Sequence, residues 1–246
     1  MQRNSIERRT DDRTVETTSE GGTPAPSSRG EIDAFLAKAS TAPKPGAGRG
    51  RVIFALDATM SRQPTWDRAM HIQSSMFETA RRLGTLDVQL VYFRGFRECR
   101  ASRWVADGGA LGSLMERVDC RGGHTQIGKV LAHALREKGR DGVSAVVFVG
   151  DAMEENPDAL CQRAGELGLR GVPCFMFHEG RDGAAGRTFK EIARLSGGAY
   201  ARFDSGAAGR LKELLEGVAA FSTGGREALE RLGSEGSRLL LEQMRR

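Results

Sequence analysis

Apolar positions along this chain form two kinds of run, and the two alternate. Short stretches at 52–56 (VIFAL), 86–93 (LDVQLVYF), 143–149 (VSAVVFV) and 172–178 (VPCFMFH) read as strands, the first and third apolar enough to be closed off from water on both faces. Between them, apolar residues recur every three or four positions. Trp66, Met70, Gln73, Met76, Phe77, Ala80 and Leu83 line one face of a helix over 66–83, which Gly84 stops. Further helices are predicted at 109–118, 126–138, 157–169, 187–196 and 206–222. A less regular strand is predicted at 99–105 and a short one at 199–203. Pro157 opens its helix where a missing N–H costs nothing. The first strand is taken as 51–57. Strands alternating with helices predict an α/β fold: a Rossmann-like, doubly wound, mostly parallel sheet flanked by helices.

Both ends of the chain differ from this middle. Residues 1–49 are predicted to be a disordered arm, with too few apolar side chains to offset the entropy of ordering. The exception is a short helix near 31–38, where Ile32, Phe35 and Leu36 share a face. Lys44-Pro45-Gly46 marks a linker, and the folded domain is placed at 50–223. Residues 224–246 are expected to be a helical tail, with Leu239, Leu240 and Leu241 exposed unless they pack on something.

Charge and cysteine content narrow the class. The formal charge is +5, and only six of the 37 basic residues are Lys. The basic residues are spread along the chain rather than gathered in a stripe with interleaved aromatics, which argues against a nucleic-acid partner. Cys99, Cys120, Cys161 and Cys174 have no zinc-type spacing and read as reduced, mostly buried thiols. With no apolar leader visible and no run long enough to span a bilayer, the expected location is the cytoplasm.

Candidate chemistry sits at the strand ends. Asp57, Thr59 and Ser61 follow the first apolar strand at alternate positions, one carboxylate and two hydroxyls on a short turn. In open α/β sheets ligands bind outside the carboxyl ends of strands. Hard cations prefer such an oxygen set. Two more loops are expected at the same end: Gly122-Gly123-His124-Thr125, before the helix at 126–138, and Gly150-Asp151.

These three segments, in this order and spacing over residues 50–222, resemble the von Willebrand factor A domain, the integrin I-like fold. The likeness is to its metal-ion-dependent adhesion site (MIDAS). The sequence departs from that family in having Thr59 as the first hydroxyl. The third loop lacks the family's frequent Asp-Gly, which leaves Asp151 as the carboxylate and Glu154 as a substitute. The resemblance implies a metal site of Asp57, Thr59, Ser61, Thr125 and Asp151 holding Mg²⁺ or Mn²⁺. It also implies a bacterial-type, non-enzymatic module whose bound cation accepts an Asp or Glu from a partner protein.

Other readings stand beside this one. Asp57, Asp151 and Thr125 also suit turn or helix caps. Gly123 to Lys129 matches G-x-x-x-x-G-K, but Val130 follows where a phosphate-binding loop needs Ser or Thr. A phosphohydrolase using Asp57 as nucleophile lacks a general acid two residues on, where Thr59 stands. The remaining alternative is a scaffold of this fold that no longer binds metal.

Overall fold

A computed structural model of the chain describes residues 49–59, 63–72, 74–82, 84–140, 142–204 and 208–244. The predicted arm, its helix near 31–38 and Ser61 lie outside these residues. Six strands, β1 (Arg49–Asp57), β2 (Thr85–Arg94), β3 (Glu98–Val105), β4 (Ala145–Gly150), β5 (Cys174–Glu179) and β6 (Ala199–Phe203), form one sheet in the order β3-β2-β1-β4-β5-β6. All neighbours are parallel except β2 and β3. The doubly wound α/β class expected from the alternating pattern is the class observed. β1 is central and starts two residues earlier than expected. Arg49 and Arg51 both reach the buried carboxylate of Asp87 on β2, at 2.7 and 3.3 Å.

Eight helices among the described residues cover the sheet: α1 (Gln63–Ile72), α2 (Ser74–Arg81), α3 (Gly108–Met115), α4 (Ile127–Arg140), α5 (Pro157–Leu169), α6 (Gly183–Ser196), α7 (Ala208–Leu232) and α8 (Glu235–Met244). The helix expected at 66–83 appears as α1 and α2 on either side of Gln73, which is not described. Its Trp66, Met76, Phe77 and Ala80 are buried as the spacing required. α5 begins at Pro157, with the Asn156 side chain accepting from the Ala159 N–H. α6 starts four residues before its predicted position because Asp182 caps it, accepting from the N–H groups of Ala184 and Ala185. α7 is kinked at Gly225, whose φ of 68° and ψ of −162° are not helical, so its first part ends close to the expected 222 and a second helical part follows.

Alternation along the strands divides the interior in two. Val52, Phe54, Leu56, Val147 and Phe175 face a cluster shared with α1, α2, α3, α7 and α8. Ile53, Ala55, Val146, Phe148 and Met176 face one shared with α4, α5 and α6. α8 belongs to the first: Leu240 is wholly buried and Leu241 nearly so. No helix among the described residues is long and apolar enough to cross a membrane.

Candidate functional site

The carboxyl end of the sheet gathers the predicted loops. β1 ends at Asp57, which is buried because the turn after it is tied down on two sides. The Ala58 N–H donates to Phe93 O on β2 (3.0 Å), and Ala58 O accepts from the Arg121 N–H (2.9 Å). The Thr59 N–H donates to Asp57 Oδ1 at 2.8 Å, a local turn that orients the carboxylate. Gly122 and Gly123 bring the second loop in. A Cβ on Gly123 would lie 2.1 Å from Gly95 O, so only glycine permits this approach to the β2–β3 turn. The His124 N–H then donates to Gly95 O at 3.1 Å.

Asp57, Thr59, Thr125 and Asp151 line one cleft of about 200 Å³, together with Gly122, Gly123, Ala152 and Glu154. Four of the five residues predicted for a metal site are thus brought together, and the fifth, Ser61, is outside the described residues. Thr125 is buried, and its Oγ1 accepts from the Glu154 N–H at 3.0 Å. The Glu154 carboxylate turns back on the same loop: Oε2 accepts from the Thr125 N–H (3.1 Å) and pairs with His124 Nδ1 (2.9 Å). Among the described residues no three His, Cys, Asp or Glu side chains cluster as metal ligands. The oxygen set lining the cleft is instead two aspartates with the hydroxyls of Thr59 and Thr125, beside a Glu154 carboxylate already turned to His124 and the Thr125 N–H. That donor chemistry fits Mg²⁺ or Mn²⁺ better than a softer ion. The Thr125 hydroxyl retains a second lone pair for a cation while it accepts from Glu154.

Two alternative readings change. Thr125 does not cap α4, because Glu155 does so from across the cleft. Its carboxylate accepts from the Ile127 N–H and, at 2.8 Å, from the Gly128 N–H. The same contacts use the amides that a phosphate-binding loop would offer to its ligand. Lys129 Nζ points away from those amides, to Arg97 O (2.9 Å) and Gln126 Oε1 (2.7 Å). Glu155 and Gln126 had no role in the sequence reading. Gln126, buried, donates to the carbonyls of Arg94, Gly95 and Glu98 and so closes the β2–β3 turn. Nothing in the local pattern announces either contact, since both join segments about 30 residues apart.

Asp151 is supported from below by His178 on β5. A carbonyl can only accept, so the 3.2 Å contact to Asp151 O assigns the proton to His178 Nε2. Nδ1 then accepts from the Tyr200 hydroxyl at 2.9 Å. Burial pushes the His178 pKa down from its ordinary value, consistent with a neutral ring in this arrangement.

No family model and no curated protein matches the sequence. Solved structures do match. The structure of a von Willebrand factor type A protein from Catenulispora acidiphila superposes over 72% of this chain with a TM-score of 0.59 at 16% identity. The chain has the von Willebrand factor A fold. An aerotolerance-related membrane protein from Bacteroides fragilis matches 68% of the chain with a TM-score of 0.52 at 18% identity, covering 96% of its own chain. Proximal thread matrix protein 1 from the mussel byssus, solved with a zinc-occupied MIDAS motif, matches 70% with a TM-score of 0.55 at 15% identity. The chain spans 43% of the Catenulispora structure and 46% of the mussel one. At these identities the likeness is one of fold.

Proposed function

We propose that this chain is a non-enzymatic protein-binding module whose cleft holds Mg²⁺ or Mn²⁺. Asp57, Thr59, Ser61, Thr125 and Asp151 hold the cation, and an Asp or Glu of a partner protein completes its shell. The observation that carries the reading is the convergence of Asp57, Thr59, Thr125 and Asp151 on one cleft at the carboxyl ends of β1 and β4. A site with only two anionic ligands leaves the ion electrophilic enough to recruit a third carboxylate. The mussel protein with its zinc-occupied motif lends the same fold a precedent for metal. Four cysteines, none in a disulfide, suit a reducing, cytoplasmic setting. The phosphohydrolase reading is not favoured, because Thr59 occupies the position where that chemistry needs an acid.

Thermal unfolding across Mg²⁺ and Mn²⁺ concentrations tests this reading. A cation that binds only the folded state at about 100 times its dissociation constant adds roughly 2.7 kcal/mol. The wild-type midpoint is expected to rise with metal and that of Asp57→Ala to stay flat. An equal rise in both proteins, or none in either, overturns the metal site. The second reading, a metal-free scaffold, is favoured by Glu154, which already bridges the Thr125 loop through three contacts. A flat wild-type response selects it.

A further inference from the structure

A second concavity borders the same β2–β3 turn and carries charge that the fold does not require. It lies between β3 and α4, has a volume of about 190 Å³, and is lined by Arg100, Lys129, His133 and Arg136 over a floor that includes Ala101 and Ala132. No carboxylate lines it. Lys129, His133 and Arg136 recur at i, i+4 and i+7 on α4, so they share one face of the helix. Burial pushes the His133 pKa down and its Nε2 pairs with Gln89 Oε1 at 2.8 Å, so the charge on this face is that of Lys129 and Arg136. Their charges stay largely unneutralised. Lys129 is exposed and bonds only neutral oxygens. Arg136 makes no ion pair among the described residues. The acid near Arg100, Glu98 at 3.7 Å, is already held by Arg94 at 2.9 Å.

The turn joins this groove to the cleft. Gly95 O accepts from His124 on the cleft loop, and Arg97 O accepts from Lys129 in the groove. Between them Phe96 is 76% exposed, its ring 5.2 Å from that of His124. An exposed aromatic at the rim of a charged site is a common feature of protein-binding surfaces.

We propose that the groove binds an acidic segment of the partner, several Asp or Glu residues adjoining the one that enters the cleft. This rests on the reading of the cleft as a carboxylate acceptor and names the partner's chemistry. Charge complementarity carries it: three cationic side chains (Arg100, Lys129 and Arg136), a small-residue floor and no acid in the lining. A single-stranded nucleic acid fits less well, because no aromatic side chain lines the groove and Phe96 beside it packs edge-on with His124 rather than offering successive bases a stack.

Fluorescence anisotropy of a labelled oligoglutamate with the full chain, in Mg²⁺ and in EDTA, is the test. The double variant Arg100→Glu/Arg136→Glu changes two exposed residues outside the cleft, and its thermal midpoint checks that it folds. Affinity is expected to fall about tenfold in this variant, with or without Mg²⁺, and to weaken with salt. Arg136→Gln, a milder change, is expected to give part of that loss. Unchanged binding in a folded double variant overturns the groove. So does an oligothymidylate that binds as tightly as the peptide and is lost with the same variant. Asp57→Ala separates the two ideas. If it removes only the Mg²⁺-dependent part of binding, groove and cleft both stand. If neither Asp57→Ala nor EDTA changes anything while charge reversal does, the groove stands and the metal reading falls.

Discussion

Cys174 begins β5 with no exposed surface, and burial pushes its thiol up to about 12 from an ordinary 9.0. Its raised pKa makes a testable contribution to stability. A folded pKa above the unfolded value means that the native state keeps a proton which the unfolded chain loses. The stability tied to this thiol is therefore complete below about pH 9 and is lost as pH rises from there towards 12. At about pH 10.5 the loss comes to roughly 2 kcal/mol relative to neutral pH. Urea unfolding of wild type and Cys174→Ala at both pH values isolates it, since the other titrating groups are common to the two proteins. The wild type is expected to lose more stability on going alkaline than the variant. Equal losses would mean that the thiol ionises freely in the folded chain. At this same scale, site residues were legible when they interrupted an apolar run: Asp57 and Asp151 announce themselves as polar side chains at strand ends. Glu154 was legible only as a substitute carboxylate and Glu155 not at all, because their contacts are with residues 124–128, about 30 positions away.

At the scale of elements, the departures arise where one segment's environment is set by another. The turn between β2 and β3 is only three residues, too short for a parallel crossover, so β3 must run antiparallel. That two strands follow closely there was readable from the sequence, though not their antiparallel pairing. The position of α8 was not. Three consecutive leucines cannot all face one way on a helix, and which of them is buried depends on how α8 packs against α7 and β6. Leu240 and Leu241 enter the interior and Leu239 packs at its edge. The Gln243 side chain then pairs with β6 like an added strand, accepting from the Tyr200 N–H (2.9 Å) and donating to Tyr200 O (2.7 Å). That contact covers an edge which would otherwise be open to another chain. α8 is accordingly a structural part of the domain. Leu240→Ala is expected to cost about 2–5 kcal/mol in urea unfolding, the range for truncating a fully buried leucine. A cost below about 0.5 kcal/mol would place α8 outside the cooperative core.

For the whole molecule, the sheet is the shared wall of two interiors. On the central strands, residues of one cluster alternate with residues of the other, as Phe54 and Ile53 do on β1. Neither cluster can lose its sheet face while the other keeps its own. The chain's two tryptophans sit one on each side. Trp66 is buried in the first cluster, its indole N–H donating to Met115 O at 3.2 Å. Trp104 packs at the border of the second, with the Arg51 guanidinium 5.2 Å from its ring centre. The variants Trp66→Phe and Trp104→Phe each leave a single reporter for one side. If the sheet couples the two interiors, each reporter's urea midpoint will coincide with that of the same variant's far-ultraviolet circular dichroism. Trp104 is the more demanding probe, since β3 is an edge strand and has only β2 to hold it. A Trp104 transition well below the circular dichroism midpoint would show the β2–β3 side opening ahead of the rest. The cleft would open with it, because the Thr125 loop is anchored on the turn between those two strands through Gly95 and Gln126. Coincident transitions would instead make the stability of the cleft that of the whole sheet, so that a cation bound there would raise both midpoints together.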